Sequence, residues 1–392
     1  MKNDLGRRLS NRQGRGVRTT ISRLAFLILM VTSTTCFSSP FVGSTLASNG
    51  TYVAGEERGF VIGNASTRGS LRSVRLGDGE AQELRRLGEI TVEAIRILTE
   101  AGEILGNVLE LSAITDEYAY GSGPWRTVED QVPRGLNAAR ADISRLKAEA
   151  RGWSAAIGEP PRGFENMVTI NRDLLMEGLP LVERSIELVH DLFMAAKVGD
   201  WEKYNEINSQ TIRLIIAQLQ LESASGRATI SLLPVDHPQR FLVESIVWSN
   251  NVMVSLLDAS AELIAMEPID VGIHAREMTM YIERGRGSVR NGQAATAELL
   301  GKLGSGVDET LLSLLEGAAE TYAESFMIEE KIYGLLVQMR GWLLAVDEAA
   351  SEEEEERLFE RFELQSAQFD ALVRARVGLM GARAGMLSEF GL

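Results

Sequence analysis

From Leu87 onward, apolar residues fall in alternating steps of three and four: Leu87, Ile90, Ala94, Ile97, Ala101, Ile104, Val108 and Leu111. That spacing keeps one stripe on one side of an α-helix and predicts an a/d seam held for more than three heptads. Large and small residues alternate along the seam, which lets a partner helix approach closely. Gly88, Gly102 and Gly106 lie inside the same helix, each costing about 1 kcal/mol relative to alanine in a helix interior. Close backbone packing would make that cost tolerable.

The rest of the chain repeats this kind of pattern between clear stops. A second helix is predicted over 126–157, after Gly121-Ser122-Gly123-Pro124 and before Gly158 and Pro160-Pro161. A third covers 164–198, with a kink or break expected at Pro180 because proline removes an intrahelical donor. Gly199 and Asp200 then stop one helix and start the next, as a C′ glycine and an N-cap aspartate. The fourth helix runs from Trp201 to about Leu232, and the fifth from about Pro238 to Met266. The sixth covers about 270–303 and is weakened on paper by Gly285, Gly287 and Gly292. The seventh runs from Asp308 to about Ala349. The eighth opens at Ser351 with Glu354 three residues on, a capping box, and continues to about Leu387. No alternating strand pattern of any length accompanies them. The predicted class is all-α, with about eight long amphipathic helices forming one extended or two consecutive four-helix-type bundles. The expected halves are 79–234 and 235–392. Arg151-Gly152-Trp153 recurs as Arg340-Gly341-Trp342, but the flanking residues match too loosely to distinguish a duplication from chance.

Upstream of the helices the pattern changes. Residues 1–23 carry seven basic residues, Lys2 to Arg23, against Asp4, and are followed by the apolar run Leu24 to Val31 and a Ser/Thr-rich stretch. A basic segment, a short apolar core and small residues are the signature of a secretory signal. Thr45-Leu46-Ala47 then offers a cleavage site. Leu24 to Val42 is also free of charge and could just span a bilayer as an uncleaved anchor, and an organellar presequence has a similar composition. Residues 1–47 are therefore read as a signal peptide or N-terminal membrane anchor, and 48–78, rich in Gly, Ser, Arg and Asn, as a flexible linker. Asn49 and Asn64 stand in Asn-x-Ser/Thr sequons, which matter only in a glycosylating secretory system. The body is expected outside the cytoplasm, in the periplasm, at the cell surface or beyond the cell.

Composition narrows the chemistry. The 392-residue chain is 45% hydrophobic and 24% charged, with a formal net charge of −15, so it can build a core and repels a phosphate backbone. No nucleic-acid partner is expected. The single cysteine, Cys36, lies in the leader, where Ser33-Thr34-Thr35 makes a poor lipidation context. The body thus has neither a disulfide nor a thiol nucleophile.

Glu183, Glu187 and His190 fall at i, i+4 and i+7, and Glu187 to His190 is a Glu-x-x-His, the spacing that aims carboxylate and imidazole ligands from one helix face. No second such motif completes a dimetal set, and an ordinary charged face has the same appearance. His237 suits a capping role and His274 a surface one. The tryptophans Trp125, Trp153, Trp201, Trp248 and Trp342 sit mostly near helix ends, where such residues staple helices to a core. No cofactor is expected. The leading expectation is a non-enzymatic extracytoplasmic bundle in a structural or protein–protein interaction role, with a protein partner or self-association and a possible membrane attachment through the leader. Its rivals are a ligand-sensing or ligand-binding bundle acting through a partner, and a carboxylate/histidine metal-binding bundle.

Overall fold

The computed structural model describes residues 78–119, 125–158, 165–233, 235–265, 271–303 and 309–389. The leader with Cys36, the linker, and the sequons at Asn49 and Asn64 lie outside the described residues, as do Gly121 to Pro124, Pro160-Pro161, Pro234 and Pro268. Among the described residues there are eight helices and no strand: α1 (Asp78–Ala119), α2 (Trp125–Ile157), α3 (Glu165–Val198), α4 (Trp201–Leu232), α5 (Pro238–Ala265), α6 (Val271–Lys302), α7 (Glu309–Asp347) and α8 (Glu352–Glu389). At 1.5 Å per residue they are rods roughly 40–60 Å long.

The ends are set by local chemistry. Gly158 and Gly199 adopt positive φ of 65° and 72° after α2 and α3, a conformation that costs glycine little. The Asp200 carboxylate accepts the Lys203 N–H at 3.1 Å and caps α4. The far end of α4 is closed by Arg240, whose Nη1 donates to the carbonyls of Ile230 and Leu233 at 3.2 and 3.4 Å, satisfying acceptors that have no partner inside the helix. The His237 Nδ1 accepts the Gln239 N–H at 3.3 Å, so its capping role holds. Ser351 Oγ accepts the Glu354 N–H at 3.3 Å, while the Glu354 carboxylate reaches back to the Ala350 N–H at 3.1 Å, one residue before the position a simple capping box uses. Pro180 does not interrupt α3, and α2 likewise runs through Pro133.

Successive helices pack against one another, and cross-helix pairs give their direction. Arg96 meets Glu149, and Glu100 meets Arg145 at 2.9 Å, so α2 descends as α1 ascends. Lys147 meets Glu183 at 2.6 Å, and Lys197 meets Glu129 at 3.1 Å, so α3 ascends again. Beyond the chain neighbours, α1 packs on α3 and α5 on α7. The α1 seam is buried from Ala94 through Ile97, Ala101, Ile104 and Val108. The α4–α5 turn falls at the expected boundary between halves. There the two helices pack directly, with Gly226 against Val247, and one apolar core runs from Ala94 in α1 to Val373 in α8.

Tryptophan stapling is clearest at one end of the first half. Trp125, opening α2, stacks on Phe193 of α3 with ring centroids 5.6 Å apart and touches Tyr118 of α1 at 4.4 Å. The repeated Arg-Gly-Trp tripeptides are used differently. Trp153 is buried, whereas Trp342 is half-buried, donates Nε1 to Gln365 at 2.8 Å and carries Arg361 over its ring. Among the described residues, no helix is long and apolar enough to cross a membrane.

Candidate functional site

The residues singled out by the Glu-x-x-His spacing are engaged separately. Glu183 takes Lys147 at 2.6 Å, Glu187 takes Arg184 at 2.7 Å, and the His190 imidazole lies 3.6 Å from Asp191. All three are at least partly exposed on α3, and their ligand atoms are not gathered into a cluster.

A different histidine is. His274, expected at the surface, is only 17% exposed at its side chain, and its Nδ1 lies 2.7 Å from Glu262 Oε2, itself 17% exposed. Glu277 completes the group: one ligand atom from each of the three residues lies within 4.8 Å of the others. Two elements build it. Glu262 stands in the last turn of α5, while His274 and Glu277, at i and i+3, face it from the start of α6. Burial lifts the Glu262 carboxyl above its usual range; the His274 bond lowers it, and the neighbouring Glu277 carboxylate raises it again. One turn back on α5, Asp258 is raised by burial and held partly in check by Arg284, 3.3 Å away.

Deeper in the second half, a polar layer crosses the apolar core. Arg376 of α8 is fully buried; its Nε donates to Glu329 Oε1 of α7 and its Nη2 to Ser249 Oγ of α5 at 2.9 Å. Ser325 donates to the same Glu329 oxygen at 3.1 Å. Glu329 Oε2 and Arg376 Nη1 have no partner among the described side chains. The layer continues beside Ser249, where Asn250 donates to Glu222 Oε2 of α4 at 3.4 Å. The first half holds a smaller counterpart, in which Tyr204 donates to the buried Asp116.

Glu222 gives a direct pH test. Burial drives its carboxyl well above the ordinary range, with Gln218 and Asn250 pulling the other way. A carboxyl whose folded pKa exceeds its unfolded value of about 4.3 stabilises fully below that value. The stabilisation is lost as pH rises through the folded pKa. Glu222→Gln removes the ionisation; its oxygen still accepts from Asn250, and once the Gln218 amide, which now donates to Glu222 at 3.5 Å, turns over, the new N–H₂ meets Gln218 Oε1, which lacks a partner as placed. The variant should be more stable than the parent by about 1–3 kcal/mol at pH 7.5 and no more stable at pH 4, as read by urea unfolding at the two pH values.

The end of the first half presents the other notable surface. Met194, Val198 and Trp201 are 43%, 72% and 46% exposed around the α3–α4 turn. Trp201 meets the buried Tyr204 edge-on, centroids 5.9 Å apart. Comparison with protein-family models, curated proteins and solved structures finds no match to this chain.

Proposed function

We propose that this chain is a non-enzymatic helical scaffold that works outside the cytoplasm and binds a protein partner, or a second copy of itself, through the α3–α4 end. The observation that carries the reading is the apolar tip. Met194 and Val198 lie one helical turn apart on α3, and Trp201 follows across the turn. Isolated exposed apolar residues are ordinary, but a grouped set rimmed by polar residues marks an interaction surface, and Trp and Met are enriched in such surfaces. The rim carries both signs, Lys197 and Lys203 against Asp191, Asp200 and Glu202. The Gly199 turn and the Asp200 cap hold the tip in a fixed shape, so little ordering entropy remains to be lost on binding. The basic, apolar and small-residue leader supports the extracytoplasmic location.

A photo-crosslinking residue at Val198, introduced into the full chain in its native envelope, should yield a discrete protein adduct. Met194→Lys, introduced alongside that crosslinker, should abolish the adduct while changing stability by no more than about 0.5 kcal/mol, as expected for an exposed position. No adduct from Val198, or recovery of the chain only from the cytosol, would defeat the proposal.

A further inference from the structure

We infer that Glu262, His274 and Glu277 form a binding site for one divalent transition-metal ion of the zinc class, at the α5–α6 end of the second half. Among the described residues, this is a group whose donor atoms already converge, all within 4.8 Å of one another. A tetrahedral ion about 2.0–2.2 Å from each donor holds its ligands roughly 3.4 Å apart. The His274–Glu262 contact of 2.7 Å therefore has to open by less than about 1 Å, and the exposed Glu277 arm has to swing inward. Side-chain rotation alone can make both adjustments, because the ligands stand on two helices packed directly against each other. Facing helices of a bundle are a recurrent support for such sites.

The donor set selects the ion. One imidazole with two carboxylates suits zinc and its first-row neighbours, whereas calcium and magnesium take all-oxygen shells. Three protein ligands leave a fourth coordination position for water. Local charge points the same way. Asp258, Glu262 and Glu277 place three carboxylates at this end, and Arg284 is engaged with Asp258 at 3.3 Å. The phenol of Tyr281, one turn beyond Glu277, is raised by burial and then by Asp258 and Glu262, with Arg284 opposing. Glu262 and Glu277 bring two carboxylates within reach of one ion. A divalent cation neutralises both.

The test uses the full chain, stripped with a chelator and titrated with Zn²⁺ alone, then with Co²⁺ as a spectroscopic reporter. One equivalent should saturate the site, with visible Co²⁺ absorption that Zn²⁺ displaces. His274→Ala and Glu277→Gln should each weaken binding by roughly 100-fold or more, beyond what loss of an outer-shell partner causes. A Glu187→Gln, His190→Ala double variant should titrate like the parent. Circular dichroism checks the helical body of each variant. Should His274→Ala fail to fold, Glu277→Gln at its exposed position decides the question. Absence of one-equivalent binding, or saturable binding that Glu277→Gln and a folded His274→Ala leave intact, overturns the assignment.

Discussion

Replacing Arg376 with methionine is expected to cost the fold about 3–5 kcal/mol, the usual consequence of leaving one member of a buried ion pair alone. Typical domains are stable by only about 5–15 kcal/mol, so this single change removes a large share. The cost arises from what stays behind. Glu329 is fully buried and keeps only the Ser325 hydroxyl as a donor among its named partners, and Ser249 loses the Nη2 donor. The apolar gain from methionine does not offset a bare carboxylate in the core. Because Arg376 is the main influence holding the Glu329 carboxyl down against burial, its removal lets that carboxyl rise further.

The sign of the pH dependence follows. With a folded pKa above the unfolded value of about 4.3, Glu329 in Arg376→Met stabilises only when protonated, and the loss grows as pH rises through the folded pKa. The deficit should therefore be larger at pH 8 than at pH 4 in urea unfolding. Replacing both partners, Arg376→Met with Glu329→Leu, should recover most of the loss, since an apolar pair of similar volume is often neutral or stabilising. A double variant as unstable as the single would mean that Arg376 acts through packing alone.

The positions of this pair were legible in the sequence, though their meaning was not. On α7 the buried residues Leu315, Ala318, Tyr322, Ser325, Glu329, Ile332, Leu336, Met339 and Leu343 step by three and four. On α8, Phe362, Ser366, Phe369, Val373 and Arg376 do the same. Phasing these stripes places both charges in the core face. Composition alone hides them, because Arg374 two residues earlier is exposed. Helix limits were more readily read, since caps and breakers act within a few residues: Gly199-Asp200 and Ser351 to Glu354 function as their local chemistry requires.

Glu262, His274 and Glu277 were harder to see because the group joins two helices. A search along one helix finds Glu187-x-x-His190, whose members the fold hands to nearby charges. The usable signal was a reversed motif, His274-x-x-Glu277, together with its sequence distance from Pro268, the breaker between the two predicted helices. Residues 262 and 274 lie equally far from that proline, so antiparallel packing of α5 and α6 sets them opposite each other. Periodicity within one helix cannot supply that pairing.

Gly285 and Gly292 of α6 reverse their sequence-based meaning while Gly287 keeps it, so the three alanine variants should separate by sign. On propensity alone each substitution gains about 1 kcal/mol. Gly287 has nothing near the position of an added Cβ, and Gly287→Ala should realise that gain. At Gly292 the Cβ would meet the Phe326 ring of α7, and at Gly285 the Tyr333 ring, in both cases closer than the 3.0 Å that real Cβ atoms keep. Both rings are fully buried, so neither can swing into solvent. Overpacking a filled core costs about 1–3 kcal/mol, which makes Gly292→Ala destabilising despite its better propensity. Gly285→Ala should be worse, by about 2–4 kcal/mol in all, because displacing Tyr333 also strains the 2.7 Å bond from its hydroxyl to the Val252 carbonyl of α5. Urea midpoints of the three variants test the order. Adding Phe326→Leu to Gly292→Ala makes room for the methyl group, so the pair should be more stable than the sum of the two single losses. Additive losses would mean that the glycine does not receive the ring, and the close approach of α6 to α7 would need another cause.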